Sequence, residues 1–421
     1  MNRPDNPNDD TIVPGAAHEG QLSAAPALDP SAVAGGKGNR GDERSKRQML
    51  TGKAARDLDL GALSPGQLAW RQLKKNRAAM IGFWTLAIMY FLVLFVQFIA
   101  PYDPTEQTPG GVQNALNPPM KLRFRDAQGQ FHARPFVYQN VQELKGGEFT
   151  YLPNADEPRP IQLLVHGTPY KFWGLIPTDL HLFGVEDGAI FLLGTDVQSR
   201  DYFSRLMYGA AVSLTVGLIA IAITFSLGML IGGIAGFYGG RTDDIIMRFT
   251  EIIMSVPDFY LLLALAAALP VGLNPVLSYL LIISILSFIG WAGMARIIRG
   301  MVLSVREREY VEAGRALGLG DLQLIVRHIL PSTFTYAIVA ATMSVPGYIL
   351  AEAGLSFLGL GIRDPVASWG NMLTQAQNLS TIQGRWWILT PGLAIFVTTL
   401  AFNFLGDGLR DALDPKSRKL G

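Results

Sequence analysis

Three acidic residues lie inside or beside long apolar segments: Glu251, Asp258 and Glu352. A carboxylate in hydrocarbon is costly unless it faces protein or a water-filled cavity, so groups of this kind mark either solute pathways or structural pairs. Asp258 and Glu352 are our candidates for a translocation path, and structural pairing stays open for both. Glu251 also has the simpler interpretation of a charge that favours the N-terminal end of a helix.

Side chains suited to enzymatic catalysis show no catalytic spacing. The five histidines are scattered without a His-Glu-x-x-His pattern. The absence of cysteine excludes disulfides, thiolate metal sites and thiol nucleophiles, and no Gly-x-x-x-x-Gly-Lys-Ser/Thr loop offers a nucleotide site. We therefore predict no catalytic residue and no metal site, with a membrane-bound enzyme kept as a rival class. The net charge of +1 gives no indication of nucleic-acid binding.

One polar, arginine-rich segment stands between two long uncharged runs and has the pattern of a helical hairpin. Ser304-Val305-Arg306-Glu307 has the Ser-x-x-Glu spacing that caps a helix start. Gly318 and Gly320 can adopt the left-handed backbone that ends a helix. Asp321 then begins a second short helix, which we expect to end at Pro331. Two short helices with a tight joint indicate a docking surface for a partner. We call this segment, about 304–331, the polar hairpin.

Hydrophobic residues make up 49% of the chain and charged residues only 16%, against about a quarter charged in ordinary soluble domains. A membrane-spanning helix needs about twenty mostly apolar residues. Six runs meet this requirement, so we predict six transmembrane helices. They cover approximately 78–100, 206–240, 252–269, 276–295, 332–351 and 386–406.

Basic residues predict the orientation of these spans. They are concentrated before the first span, between the fourth and fifth, and after the sixth. Cytoplasmic loops carry the excess of Lys and Arg, and six crossings place all three groups on one side. The sequence therefore predicts a multi-pass protein of the plasma membrane with both termini in the cytoplasm.

Composition divides the chain into five parts. A polar N-terminal tail is predicted to be disordered, because it cannot bury enough apolar surface to offset the entropy of ordering. An interfacial helix plus the first span follow, and then an extracytoplasmic insertion in which 121–138 has the pattern of a β-hairpin. The predicted parts are 1–63 (tail), 64–102 (interfacial helix and first span), 103–193 (insertion), 194–415 (five spans and the polar hairpin) and 416–421 (cytoplasmic end).

Small residues and prolines predict how the spans pack. Gly228, Gly232 and Gly236 recur every fourth residue, which lets two helix backbones approach closely in lipid. Proline in a span frees a backbone carbonyl and can bend the helix. Three prolines are expected to interrupt the third, fifth and sixth spans: Pro257, Pro346 and Pro391.

Several motifs together resemble a known family. Glu312-Ala313-Gly314, followed by Gly318 and by Leu330-Pro331, is similar to the EAA loop of ABC importer permeases. The resemblance covers about 64–102 and 194–416, and it is specifically to the C-type permease subunit of the dipeptide/oligopeptide branch. Further matching motifs, in the same order, are Gly194-Thr195-Asp196 with Arg200-Asp201, and the stretches 236–240, 355–361, 368–372 and 402–411.

The resemblance implies an all-α membrane fold with a type I ABC importer (MetI-like) permease core and a small β-containing insertion outside the cell. It implies that the polar hairpin couples to a separate ATPase, so this chain binds no cofactor and ATP and Mg²⁺ are used by the partner. The residues that would carry coupling are Glu312, Ala313, Gly314, Gly318, Gly320, Asp321, Leu330 and Pro331.

The implied partners are a homologous B-type permease, two ATP-binding subunits or one fused pair, an extracytoplasmic solute-binding protein, and the lipid of a bacterial inner membrane. The implied function is ATP-driven import of peptides or peptide-like solutes. Nickel chelates, opines and peptide-like antibiotics are alternative cargoes, and an ion-coupled secondary transporter is a rival class. Three departures from the family pattern are Gly314 in place of a second alanine, Ser199 in place of glycine, and a longer insertion.

Overall fold

The computed structural model describes residues 65–107, 114–145, 148–270 and 272–413. Most of this part is helical, and strands occur between the first and second long helices. The predicted tail 1–63 and the cytoplasmic end 416–421 lie outside the described residues. The helices in chain order are α1 (Pro65–Leu73), α2 (Arg77–Leu94), α3 (Val96–Ile99), α4 (Tyr202–Tyr238), α5 (Gly240–Met254), α6 (Asp258–Ala267), α7 (Pro275–Val305), α8 (Glu309–Ala316), α9 (Asp321–Leu324), α10 (Leu330–Phe357), α11 (Trp369–Met372), α12 (Leu379–Ile382) and α13 (Thr390–Leu413).

Five helical stretches of the described residues are long and apolar enough to cross a membrane: Arg77–Leu94, Tyr202–Tyr238, Pro275–Val305, Asp321–Phe357 and Trp386–Leu413. A sixth crossing results if α5 and α6 form one broken span, since they pass the same test together with a 78° bend between them. The break falls at Ser255–Pro257, where Pro257 precedes the first residue of α6. The predicted interruption at Pro257 is therefore confirmed.

The other two predicted interruptions are wrong. Pro346 lies within α10, which continues on both sides of it. Pro391 is the second residue of α13, a position where the missing N–H has no helical partner to lose. A proline in a membrane helix removes one backbone hydrogen bond, and surrounding helices can compensate for it, so its presence alone does not decide where a span breaks.

The long helix α4 lies at the centre of the bundle and contacts α2, α5, α7, α10 and α11. Its most extensive neighbour is α7, and the three spaced glycines lie in that interface. A Cβ added at Gly228 would lie 2.4 Å from Met294 Cγ, and one added at Gly232 would lie 2.4 Å from the Ala295 carbonyl oxygen. The two helices therefore approach too closely for any larger side chain at these positions without movement.

Strands form the insertion between α3 and α4. The described strands are β1 (Arg123–Arg125), β2 (Phe131–Lys145), β3 (Glu148–Pro160), β4 (Gln162–Phe172) and β5 (Ile176–Gly184). In the described part, β1, β2 and β3 make one antiparallel sheet in that order, and β4 pairs with β5 in a separate hairpin. The predicted hairpin of 121–138 is confirmed, because Arg123 pairs with Phe136 and Gly129 makes the turn with a φ of 83°.

The base of the insertion packs against Tyr102, in the segment that follows α3. Met120, Val137, Ile190 and Phe191 are buried together. The hydroxyl of Tyr102 accepts a hydrogen bond from the Ile190 backbone N–H at 2.8 Å. A small hydrophobic core and this hydrogen bond therefore hold the base of the insertion in place, in addition to the covalent connection.

Candidate functional site

The polar hairpin is formed by α8, a short joint and α9. Gly318 has a φ of 81°, the left-handed backbone expected of it, and its N–H bonds the carbonyl of Arg315 at 2.9 Å. Gly320 differs from the prediction, because its φ is −70° and it is the residue that precedes α9. Only Gly318 therefore requires glycine for its backbone.

Two predicted boundaries of the polar hairpin are wrong. Ser304 lies inside α7, where its hydroxyl donates to the Met301 carbonyl at 2.7 Å, and α8 begins later, at Glu309. Helix α7 continues past Ser304 to Val305, and the Val305 side chain is buried in the core. A favourable cap spacing does not end a helix whose next residues gain by burial.

Pro331 does not end the second arm of the polar hairpin; it lies in the first turn of α10. A π-helical turn, Ile325–Ile329, follows α9 directly and continues into α10, where Pro331 is the second residue. The wider turn accommodates the residue that cannot donate a backbone hydrogen bond. As a consequence, the second arm of the polar hairpin and the membrane helix form one continuous helical segment, Asp321–Phe357.

Buried apolar residues hold the polar hairpin against the bundle. Val311, Leu324 and Ile325 are almost completely buried and belong to the main hydrophobic core. Gly314 faces Leu324, and a Cβ added there would lie 2.7 Å from Leu324 Cδ2. Glycine in place of the second alanine therefore leaves room for Leu324 between the two arms.

The outer face of the polar hairpin combines apolar and charged groups. Leu317 is 83% exposed and Leu322 is 64% exposed. Glu312 and Asp321 are exposed on the same segment. Exposed apolar side chains with adjacent charges are typical of a surface that a partner protein covers.

Arginine side chains connect the polar hairpin to the end of α4. Arg306 donates to the Gly236 carbonyl at 3.1 Å. The guanidinium of Arg315 lies 5.1 Å from the centroid of the Phe237 ring, within the range of a cation–π contact. Movement of the polar hairpin would therefore displace the end of α4 as well as α10.

The two candidate path residues are in different surroundings. Glu352 has no exposed surface and accepts hydrogen bonds from Ser213 at 3.0 Å and Ser356 at 2.7 Å. Asp258 is exposed in the first turn of α6, directly after the break at Pro257. Within the described residues, no hydrogen bond or ion pair joins Asp258 to Glu352. A solute could reach Glu352 only after its present contacts opened, so its place in a path stays a prediction.

The hydroxyls around Glu352 also bind backbone groups. Ser213 accepts from the N–H of Trp369 at 3.1 Å, and Ser356 accepts from the N–H of Ile362 at 2.9 Å. This arrangement joins α4, α10 and the loop that contains α11 through one carboxylate. A structural role, the alternative that the sequence left open, is consistent with these contacts.

An ionic cluster near the start of α4, in which Asp196, Arg200 and Arg205 are buried and Asp364 is half-exposed, was missed from the sequence, although part of it belongs to a recognised motif. Arg200 Nε lies 2.7 Å from Asp196 Oδ2, and Arg205 Nη2 lies 2.8 Å from Asp364 Oδ1. Asp364 also contacts Arg200 at 3.1 Å. Ser199, where the family usually has glycine, takes a φ of 65° in the turn between Asp196 and Arg200. The departure therefore preserves the left-handed turn.

Comparison with known proteins agrees with this architecture. Residues 228–419 match the family model described as "Binding-protein-dependent transport system inner membrane component". Residues 64–119 match the model described as "N-terminal TM domain of oligopeptide transport permease C".

Individual relatives extend the match over most of the chain. The dipeptide transport system permease protein DppC of Bacillus subtilis is 35% identical over 360 residues, which are 85% of this chain and 88% of that protein. The di/tripeptide transport system permease protein DppC of Pseudomonas aeruginosa is 33% identical over 86% of this chain and 96% of its own length. The oligopeptide transport system permease protein OppC of Bacillus subtilis is 42% identical over 54% of this chain and 72% of its own length.

These matches, together with a bundle of long apolar helices, establish a multi-pass inner-membrane component of a binding-protein-dependent importer. The chain belongs to the DppC/OppC permease family.

Proposed function

We propose that this chain forms half of the pore of an ATP-driven importer for peptides or peptide-like solutes, with the polar hairpin as its contact with the ATPase. The observation that carries the proposal is the continuous helical segment Asp321–Phe357, which begins in the exposed hairpin and ends inside the bundle. The cargo class follows from the relatives, which are named as dipeptide, di/tripeptide and oligopeptide permeases.

The proposed topology has six crossings, with α5 and α6 as one broken span. Both termini and the polar hairpin would then lie in the cytoplasm, and the insertion 103–193 would lie outside. Basic residues support this count. With six crossings, Arg77 at the start of α2, Arg315 in α8 and Arg410 in α13 all lie on one side of the membrane, as expected of basic cytoplasmic segments. The core for transport is 194–415, as the motif order indicates.

Labelling of single cysteines tests this topology directly, because the chain has no native cysteine. We choose Gln128→Cys in the exposed turn of the insertion and Leu317→Cys in the polar hairpin. A membrane-impermeant maleimide added to intact cells should modify the first and spare the second. Opening the cells should make the second reactive. Modification of Leu317→Cys in intact cells would contradict the topology.

In the proposed mechanism, the partner ATPases bind ATP and Mg²⁺ and draw together. Each moves one hairpin through a helix-in-groove contact with its exposed face. Because the second arm continues into α10, displacement at Leu322 is transmitted along the helix toward Glu352. The bonds between Glu352 and Ser213 then form a point where α10 and α4 move together or separate. Asp258, at the break between α5 and α6, is the candidate group on the path.

A pair of charge reversals tests the coupling role. Glu312→Lys in the exposed hairpin should reduce co-purification of the ATPase and uptake of a labelled dipeptide at least tenfold, since it places a cation where the partner meets an anion. Glu106→Lys, an exposed residue of the insertion, is the matched control and should leave both unchanged. The amount of each variant in the membrane is measured in parallel. Normal uptake by Glu312→Lys would remove the proposed role of that residue.

A further inference from the structure

The loop between β4 and β5 lies beside the end of the first membrane helix. We call this loop, residues 172–176, the tip loop. Trp173 donates its indole N–H to the Leu94 carbonyl at 2.8 Å, and its backbone N–H bonds Gln97 Oε1 at 2.8 Å. The ring of Phe95 lies 6.0 Å from Phe172 and 6.3 Å from Trp173, between ring centroids. The tip loop is therefore fixed at a defined height on α2.

The tip loop remains apolar and exposed despite these contacts. Trp173 is 55% exposed, Leu175 80% and Ile176 59%. The turn between β1 and β2 has the opposite character, since 126–129 reads Asp-Ala-Gln-Gly and the Asp126 carboxylate accepts hydrogen bonds from the N–H groups of Gln128 and Gln130. Turns that face water are normally polar, so the apolar composition of the tip loop is unusual for a turn in water.

The surface of α2 below the tip loop is apolar and exposed. Apolar side chains are exposed along one stripe at spacings of three and four residues: Ile81, Trp84, Ile88, Phe91 and Leu94. The helix has 18 residues and so rises about 27 Å, close to the thickness of roughly 30 Å of the hydrocarbon layer. Arg77 begins the helix at one boundary, which places Leu94 at the other.

Trp173 is held at the end of α2, which for a membrane-spanning helix is the depth where tryptophan is most favourable. Its ring is half exposed beside the apolar stripe, and its N–H is satisfied by a carbonyl at the helix end. Tryptophan is enriched at the boundary between lipid tails and headgroups because it combines an apolar ring with one polar group. Leu175 and Ile176 extend the same apolar surface away from the bundle.

A second contact holds the hairpin of β4 and β5 beside the end of the first span. The ring of His181, on β5, is buried, with Nδ1 2.7 Å from the Ala100 carbonyl oxygen and Nε2 3.1 Å from that of Thr168. Ala100 immediately follows α3, so the histidine joins β4 and β5 to the end of the first span. The hairpin of β4 and β5 is therefore attached at two points, to the end of α2 and to the residue after α3.

We propose that the tip loop inserts into the headgroup–acyl boundary of the bilayer and fixes the insertion on the membrane surface. The occupant of its apolar face is lipid, because that face continues the exposed apolar stripe of a helix that is long and apolar enough to cross a membrane. The assignment to the outer leaflet rests on the proposed topology, whereas insertion into a boundary region does not. The purpose would be to hold the insertion in one orientation beside the outer mouth of the bundle.

Spin-label accessibility tests the proposal on the whole importer complex in nanodiscs of phosphatidylethanolamine and phosphatidylglycerol. Leu175→Cys and, as control, Gln128→Cys each receive one nitroxide, and both positions are exposed at the ends of hairpins. Collision with oxygen, which concentrates in lipid, is compared with collision with a water-soluble nickel chelate. We expect the oxygen-to-nickel ratio at position 175 to exceed that at position 128 several-fold.

Equal ratios at the two positions would place the tip loop in water and overturn the proposal. Shielding of position 175 from both reagents would also overturn it, since a protein partner would then cover the loop. Lipids with brominated chains give a second measurement. The fluorescence of Trp173 is the difference between the wild type and Trp173→Phe, and brominated chains should quench this difference. Failure of the topology is distinguishable: the label at position 175 would still report lipid, while Gln128→Cys would resist the external maleimide.

Discussion

Arg299 donates two hydrogen bonds to the carboxylate of Asp243, with Nε 2.7 Å from Oδ1, and so joins α7 to the first turn of α5. Asp243 is buried and Arg299 is partly exposed. The backbone carbonyl of the same arginine faces Gly236 of α4, where an added Cβ would lie 2.8 Å from the oxygen. Close packing of α4 on α7 and the position of the broken span therefore depend on the same stretch of α7.

Removal of one partner should destabilise the bundle. Asp243→Ala leaves the Arg299 guanidinium without the acceptor it now has, and we expect a loss of about 1–3 kcal/mol in the free energy of unfolding. Arg299→Lys should lose less unfolding free energy than Asp243→Ala, because lysine keeps the positive charge. It should still be less stable than the wild type, because an ammonium cannot reproduce the two-point contact. The measurement is unfolding in mixed detergent micelles, followed by near-UV circular dichroism.

The matched control is the pair of Arg248 and Glu251 on the same helix, which is 3.0 Å apart and exposed on both sides. Arg248→Ala should cost at most about 1 kcal/mol, since solvent screens such pairs. Equal losses for Asp243→Ala and Arg248→Ala would mean that burial of the first pair adds nothing.

Alanine at Gly232 should disrupt the contact between α4 and α7. The added Cβ would lie 2.4 Å from the Ala295 carbonyl oxygen, a backbone atom that can move only if the helices separate. We expect a loss of about 1–3 kcal/mol in unfolding free energy. Gly293→Ala on α7 is the control, because nothing lies within 4 Å of its added Cβ. That variant should be neutral or gain up to about 1 kcal/mol from helix propensity.

Features that depend on neighbouring residues in the chain were predictable. The spacing of Gly228, Gly232 and Gly236 indicated a close helix contact, and Gly129 indicated the turn of a hairpin. The ends of helices were less predictable from the sequence. The spacing at Ser304 fits a cap, yet α7 extends past it to the buried Val305. Local capping contributes about 1 kcal/mol, which burial of a valine side chain exceeds.

Contacts between distant segments had no signal in the sequence. Asp364 joins a cluster with Arg205 across 159 positions, and Trp173 reaches Leu94 across 79. Glu352 was recognised as an acid in an apolar segment, but the two hydroxyls that satisfy it could not be identified. Such groups become visible only when the fold brings the segments together.

Gly318 and Gly320 in the polar hairpin should respond differently to alanine. Gly318→Ala forces a residue with a Cβ into a φ of 81°, which costs about 1 kcal/mol or more and should weaken ATPase binding and uptake. Gly320→Ala retains a φ of −70° and has open space around the Cβ, so both should remain normal. Quantitative co-purification of the ATPase is the measurement. Equal defects in the two variants would show that backbone conformation at Gly318 is not what matters.

Asp201 should make the stability of the bundle dependent on pH. It precedes the first residue of α4 and accepts a hydrogen bond from the Ser204 N–H at 2.7 Å, and burial raises its pKa from 3.8 to about 7. Between about pH 4 and pH 7 the folded state therefore holds a proton that the unfolded state has released, so the contribution of Asp201 to stability is greatest below about pH 4 and falls until about pH 7. Asp201→Asn keeps the cap and cannot titrate. The melting temperature of the wild type should drop relative to this variant between those pH values and stay level above them. A constant difference across the range would mean that Asp201 remains ionised in the fold.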